Sequence, residues 1–393
     1  MFEWMFWLVA IGIFLVTLPG TVELAILTVG GLLPNRKPLR TLSSARDIRL
    51  AAIIPVYNEE AGLPRTVRSL AACDDPLPHA DIIVMACNTT DGTVGVARGL
   101  GCSVIERIDP TRRGKGYGLN YAFHKLAPQG YDAYLIIDAD TIVERNFLNE
   151  FRRVFAQRAD AAQTILRVAN PESSQRTRLM NIAFLAFTYL RPLARHRLGL
   201  STGIFGNGFG VRASTVADVP YECFSIAEDL EYHARLVRAG KRVEFLPATT
   251  VRTEMCLSGS QAKPQRERWE GGRVRVMIDE GPKLAADFLR RPRFATLETL
   301  LDLLLLPLAY QALLLCVLAA IGTGPLVLYA MFGLLLMVVH VAQAMILGKV
   351  DRGDWRALFS IPLYLGWKLV NLGGILKAAK KSTPWRRTER GNL

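Results

Sequence analysis

Residues 5–32, MFWLVAIGIFLVTLPGTVELAILTVGGL, form an almost unbroken apolar run, interrupted only by Pro19–Gly20 and Glu23. A bilayer is crossed by about 20 apolar residues, so this run is long enough to span one. It is too long for a secretory leader, and Met1-Phe2-Glu3 lacks the basic start of one. Arg36, Lys37, Arg40, Arg46 and Arg49 follow directly, which puts that flank in the cytoplasm by the positive-inside rule.

From residue 50 the pattern changes to short apolar runs separated by amphipathic ones. LAAIIPVY (50–57), ADIIVMA (80–86), SVIERI (103–108) and AYLIIDAD (133–140) read as buried strands. Between them AGLPRTVRSLAA, Asp91–Gly101 and GYGLNYAFHKLA (116–127) read as helices. This alternation predicts a Rossmann-like α/β unit, a mostly parallel sheet with helices on both faces and right-handed crossovers. NFLNEFRRVFAQR, strand AAQTIL, a helical stretch at about 171–195, the helix 227–240 closed by Gly240, and strand RVEFLP continue it.

Apolar character returns at 297–348, where Thr323–Pro325 divides two membrane helices. The run 357–376 has basic residues on both sides (Lys349, Arg352 and Arg356 before; Lys377, Lys380, Lys381, Arg386, Arg387 and Arg390 after), which suits an interfacial or re-entrant helix. The expected organisation is a transmembrane helix in 1–34, a cytoplasmic α/β domain at 45–281, an interfacial helix at 282–296, two transmembrane helices in 297–348, and an interfacial or re-entrant helix with a basic tail at 349–393. That makes three spans, or four if 357–376 also crosses.

Composition narrows the class. In 393 residues, 50% are hydrophobic and the net charge is +13. The basic residues cluster beside apolar runs, and no helix-turn-helix or zinc-finger pattern occurs, so membrane flanks and anionic phosphates are the expected partners, not nucleic acid. The six cysteines are scattered without CxxC or metal-ligand spacing, consistent with reduced thiols facing the cytosol.

Candidate chemistry gathers where the sheet places loops at strand carboxyl ends, the usual ligand side. Asp138 and Asp140 close the strand LIIDAD; on an extended chain, residues two apart point the same way. Such hard oxygen donors suit Mg2+ or Mn2+. Tyr57, Asn58 and Glu59 close the first strand, where an aromatic ring and polar groups can hold a nucleobase. Asn88-Thr89-Thr90-Asp91-Gly92 follows the second and equally fits a plain capped turn. Arg112-Arg113-Gly114-Lys115-Gly116-Tyr117-Gly118 follows the third, its glycines permitting close backbone approach and its cations suiting phosphate. Glu228-Asp229-Leu230-Glu231 begins a helix. Asp229 is a candidate base there, its neighbours' like charge and the helix amino end pulling its pKa in opposite directions. Gln265, Arg268 and Trp269 share a helical face at i, i+3 and i+4, giving an indole platform for a sugar and a guanidinium for a diphosphate; an amphipathic interfacial helix is the alternative.

Taken in order, PVYNE, RRGKGYG, DAD, ED and QxxRW resemble the membrane-embedded family 2 glycosyltransferases, the group of cellulose, chitin and hyaluronan synthases with ceramide glucosyltransferases as relatives. The likeness covers roughly residues 48–280. It implies a GT-A fold and an inverting, metal-dependent transfer from a nucleotide sugar, UDP-linked in many members, to form a β-linkage. By this resemblance Tyr57 and Glu59 lie near the nucleobase with Asn88 and Asp91, Lys115 meets a phosphate, Asp138 and Asp140 hold ribose and metal, and Asp229 is the catalytic base. Gln265, Arg268 and Trp269, with Glu228 of the acidic pair and Asn207 of the Gly206-Asn207-Gly208 loop, fall on the acceptor and diphosphate side. Trp385-Arg386-Arg387-Thr388 is also shared with relatives. One departure is plain: where the family carries an acid for the uracil edge, just before the asparagine, Cys87 stands.

The resemblance implies a bacterial inner-membrane enzyme of exopolysaccharide synthesis. The alternative is single-sugar transfer to a membrane lipid, a polyprenyl phosphate or a sphingolipid-like acceptor. A secretion partner or a homo-oligomer would widen a thin conduit. From another class, a non-catalytic nucleotide-binding membrane subunit is supported by Cys87 alone.

Overall fold

The computed structural model describes residues 3–36, 43–257, 259–370 and 373. They form two compact units, described here separately. One draws on Asn35–Pro171 and Leu200–Ala262; the other on Met1–Pro34, Glu172–Gly199 and Lys263–Thr383.

The first unit is built on an eight-stranded sheet. Its strands are β1 (Leu50–Val56), β2 (Ile82–Cys87), β3 (Ser103–Arg107), β4 (Ala133–Ile136), β5 (Thr141–Val143), β6 (Ala161–Val168), β7 (Phe209–Arg212) and β8 (Val243–Thr253), in the order β3-β2-β1-β4-β7-β6-β8-β5. The first four run parallel, as the alternating pattern predicts. β6 and β8 are also parallel, whereas β7 is antiparallel to both β4 and β6 and β5 is antiparallel to β8, so the sheet is mixed, with four of its seven pairings parallel. β1 and β4 are buried on both faces, which is why their sequences are continuous apolar runs. The helices Lys115–Leu126 and Glu228–Arg238 cover the face carrying Ile53, Met85 and Ile136. The helix Phe147–Ala156 packs on the opposite face, where a side chain at Gly210 would meet both Leu135 and Phe151.

LIIDAD departs from expectation in one way that matters. β4 ends at Ile136, and Asp138–Asp140 is a turn closed by the Thr141 N–H on the Asp138 carbonyl (3.2 Å). The two acids are therefore not aligned by strand pleating, and each takes its direction from its own neighbours.

The second unit is helical. Among the described residues, Glu3–Gly30 and Pro325–Gly348 are the two helices long and apolar enough to cross a membrane. The expected break at Thr323–Pro325 is present, but a second one at Leu305–Pro307 divides Phe294–Leu304 from Leu308–Ile321, with a bend of 76°. The bent pair makes a third span only if it crosses as one element. Pro307 has no N–H to continue a helix, and the residue before it is pushed out of helical geometry. No separate helix begins at 282: the chain is helical from Gly259 to Arg290, and the next helix starts at Phe294. The stretch expected to extend the α/β unit forms the helices Gln175–Phe184 and Arg191–Leu198, joined by a π-helical turn, and these group with the apolar helices. Ile361–Val370 is helical. Lys37, Arg40, residues 371, 372 and 374–376, the basic tail and the Trp385–Thr388 motif lie outside the described residues.

Apolar packing alone gives helices in lipid little reason to associate, so small and polar contacts carry the specificity. Thr17 and Thr21 share the Tyr329 hydroxyl (3.0 and 2.9 Å), Gln311 donates to the Thr17 carbonyl (2.9 Å), and Thr28 meets His340 (2.9 Å). Arg195, 3% exposed, is enclosed by Glu23 (2.9 Å), Asp302 (2.8 Å) and Glu298. Asp302 also faces Arg191 and Arg273, completing a buried ion cluster.

Candidate active site

Lys115 is the centre of the site. It is the first residue of the helix Lys115–Leu126, not part of the preceding loop. Gly114, at φ +130°, turns the chain into that helix, a backbone conformation closed to side chains. A Cβ at Gly116 would fall 1.9 Å from the Cys223 carbonyl oxygen, so only glycine lets this helix start so close to the segment leading into Glu228 and Asp229. Gly118 is closely packed too, a Cβ there falling 2.6 Å from the Cys87 sulfur. Tyr117 stacks on Phe224 (4.4 Å between ring centroids) and closes the same junction.

The Lys115 ammonium donates to the Asp138 carboxylate (2.5 Å) and to the Gly206 carbonyl. Burial opposes its charge, but Asp138, Glu228 and Asp229 together hold its pKa above the ordinary lysine value. Asp229 lies against Gly206: a Cβ there would come within 3.0 Å of its Oδ2, and Gly206 sits at φ +73°. Burial raises the Asp229 pKa; the Leu230 N–H and Lys115 offset part of that, and the Asp138 charge adds to the rise. The rise thus comes from burial and from Asp138, where the neighbouring acids Glu228 and Glu231 were expected to supply it. A half-buried carboxylate with a raised pKa, beside a fixed ammonium, is a stronger base than a free aspartate and suits proton acceptance.

Asn207 is 3% exposed, and its amide is directed inward. It accepts from the Asp138 N–H (3.0 Å) and donates to Thr141 Oγ1 (2.8 Å), holding both ends of the Asp138–Asp140 turn. These two bonds position the acidic turn. Gln163 on β6 was not singled out by sequence. It is fully buried, accepts from the Phe205 N–H (3.0 Å) and donates to the Asn207 carbonyl (2.9 Å), fixing the 205–208 loop. A buried glutamine in the apolar strand AAQTIL was the available signal. Asp140 accepts from Thr253 Oγ1 (3.0 Å).

The nucleobase-side residues stand at the ends of β1 and β2. Asn58 bonds Thr90 through both amide atoms (2.8 and 3.0 Å), and the Glu59 N–H donates to Thr93 Oγ1 (2.8 Å). Although burial raises it, the Asp91 carboxyl is held low by hydrogen bonds from Thr93 and from the Glu60 N–H, so Asp91 organises this turn. Asn88, at φ +53°, ties β2 to β3 through Asp109 (2.7 and 3.1 Å). Tyr57 is half-buried at the mouth. Burial pushes the Cys87 thiol up to about 11, so it stays neutral.

Among the described residues no group of three or more His, Cys, Asp or Glu forms a ready metal cage. Asp138 and Asp140 remain a fitting pair, since Mg2+ and Mn2+ are commonly held by one or two carboxylates plus substrate phosphates. Gln265, Arg268 and Trp269 belong to the helical unit. There Gln265 is buried while Trp269 is 39% exposed and tilted against Phe184.

Over residues 48–272 the chain matches the family described as "Glycosyltransferase like family 2". The chain belongs to that family. It is 24% identical over 260 residues to the probable glycosyltransferase YdaM of Bacillus subtilis, covering 62% of this chain and 59% of that protein. It is 29% identical over 150 residues to the hyaluronan synthase of Streptococcus pyogenes, covering 35% and 34%. The matches thus span about three fifths and one third of these relatives' lengths. The mannosyltransferase PcManGT of Pyrobaculum calidifontis, solved with GDP-Man and Mn2+, superposes with a TM-score of 0.53 at 16% identity, covering 90% of this chain and all of that one. The fold is therefore GT-A, as the motif order implied.

Proposed function

We propose that the protein transfers a sugar from a nucleotide sugar to an acceptor hydroxyl with inversion, forming a β-linkage in cell-surface polysaccharide. The observation that carries this reading is the raised, half-buried Asp229 carboxylate next to Lys115 and Asp138. Asp229 takes the acceptor hydroxyl proton as that oxygen bonds to the anomeric carbon, and the bond from that carbon to the nucleotide diphosphate breaks. Lys115 stands by the leaving diphosphate, and Asn207 holds the Asp138–Asp140 turn in place. A Mg2+ or Mn2+ ion held by Asp138 and Asp140 would neutralise charge on the leaving group. Tyr57, Glu59 and the turn around Asn88 and Asp91 frame the nucleobase, and Gln265, Arg268 and Trp269, with Glu228, serve the acceptor side. A UDP-linked donor follows the family pattern, with Cys87 as this chain's departure. The apolar helices anchor the enzyme in a bacterial inner membrane, with Arg46 and Arg49 marking the cytoplasmic side.

A second reading is single-sugar transfer to a membrane lipid. It is favoured by the small number of crossing helices among the described residues, two or at most three, which make a thin conduit for a polymer. The test is a panel of nucleotide sugars given to the purified protein in lipid, with and without a divalent ion, followed by product sizing. Metal-dependent nucleotide release with a product ladder supports the synthase, and one discrete lipid product supports the second reading. Failure to release nucleotide from any donor would leave a non-catalytic binding subunit.

A further inference from the structure

The helical unit holds a second cluster of charges, and its balance is unusual. Arg266 and Lys368 are 8% and 2% exposed. They lie on different helices, Gly259–Arg290 and Ile361–Val370. Lys368 pairs with Glu270, one helical turn from Arg266. No carboxylate among the described residues pairs with Arg266. Its guanidinium donates to the Tyr364 hydroxyl and to the Met180 sulfur, and lies over the rings of Tyr364 (4.9 Å) and Trp367 (5.6 Å). Its buried Nε has no hydrogen-bond partner. Arg176 lies over the same indole at 5.5 Å, and both it and Trp367 are half-exposed, so the cluster has an open edge.

A buried guanidinium without a counterion is costly, because phenol and ring faces return only part of its lost hydration. Guanidinium and ammonium side by side, walled by aromatics, suit a phosphate, which offers several acceptor oxygens. The surroundings indicate where that phosphate comes from. Phe359, Leu363 and Val370 are 87%, 80% and 85% exposed on the same short segment. Exposed apolar residues flanking buried cations are the pattern of a helix lying in a headgroup layer.

We infer that Arg266 and Lys368, with Arg176 at the edge, form a binding site for the phosphate of a lipid headgroup. The phosphate oxygens accept from the Arg266 guanidinium and the Lys368 ammonium, while the acyl chains lie along Leu363 and Phe359. The lipid-phosphate site does not depend on the transfer chemistry, and its failure would leave that reading untouched.

The test uses the full chain in neutral detergent and reads thermal unfolding against three probes: dioctanoyl phosphatidic acid, dioctanoylglycerol and inorganic phosphate. Phosphatidic acid should raise the wild-type Tm saturably, while dioctanoylglycerol and inorganic phosphate at the same concentrations should not. Arg266→Gln should weaken phosphatidic acid about tenfold, as expected for one lost charge-assisted hydrogen bond. Equal binding by wild type and Arg266→Gln, or an equal shift with dioctanoylglycerol, overturns the site. An equal shift with inorganic phosphate overturns its assignment to a lipid. Should Arg266→Gln not fold, Glu270→Gln decides: removing the one competing carboxylate should tighten phosphatidic acid, and unchanged or weaker binding overturns the proposal.

Discussion

Two groups of acids surround a single cation in this protein, and they differ in what they can reach. In the sheet unit Lys115 faces Asp138, Glu228 and Asp229, with the Lys115 and Asp138 side chains 21% and 41% exposed. In the helical unit Arg195 faces Glu23, Glu298 and Asp302, with Arg195 and both glutamates at 3% or less. The first cluster is open to a ligand. The second is closed, and its acids are met by Arg195, Arg191 and Arg273. Similar residues therefore do different work. An accessible cluster can exchange protons and bind an incoming charge, whereas a sealed one ties Glu3–Gly30 to Arg191–Leu198 and Phe294–Leu304. Ionisable residues among apolar helices are a functional hypothesis by default, yet here their mutual pairing accounts for them.

The sharpest way to break this contrast is to remove a charge from each cluster. Asp138→Asn should lower nucleotide release roughly a thousandfold, as loss of electrostatic stabilisation at a leaving group does, with little change in Tm. Chelation of divalent ions should do the same to the wild type. Arg195→Gln should do the reverse. It leaves buried acids unpaired and should cost about 3–5 kcal/mol of stability, read as a fall in Tm. Protein that remains folded should keep its transfer rate per molecule.

Asn207→Ala sharpens the comparison inside the site. Two buried hydrogen bonds to the acidic turn are lost, worth roughly 1–3 kcal/mol each. The divalent-ion concentration for half-maximal rate should rise; a lower Tm with that concentration unchanged would make Asn207 structural only.

The smallest effect is on stability against pH. Burial raises Asp229 above its ordinary 3.8, so the folded state binds that proton more tightly than the unfolded chain. Stability is therefore lost as pH rises from 3.8 through the folded value, and stays lower above it. Asp229→Asn should match or exceed the wild-type Tm near pH 7, with the gap closing towards pH 3.

Most of the sheet was legible because β1, β2 and β4 are buried on both faces and read as apolar runs. β7 was not: it is four residues, FGVR, between the glycine turn at 206–208 and the helix Ala213–Asp218, and its antiparallel place is set by tertiary pairing. The acids at 138, 140 and 229 were visible as residue types at strand ends and a helix start. The direction of Asn207 was not visible, because an amide serves a buried turn and a ligand equally well. On the helix Gly259–Arg290, Gln265, Arg268 and Trp269 caught attention. Yet Arg266 and Glu270, four apart on another face, meet Ile361–Val370. Both stripes have helical spacing, and only the partner helix distinguishes them. Pro307 was overlooked inside an apolar run whose hydropathy hides the break.

The central claim is that Asp229 takes the acceptor proton. It is tested most directly by nucleotide release from purified, folded Asp229→Asn, given donor, acceptor and divalent ion beside the wild type. The account predicts a loss of about a hundredfold or more, the scale of a removed general base, with a wild-type rate that rises with pH through a pKa above 3.8. Turnover at the wild-type rate would contradict it.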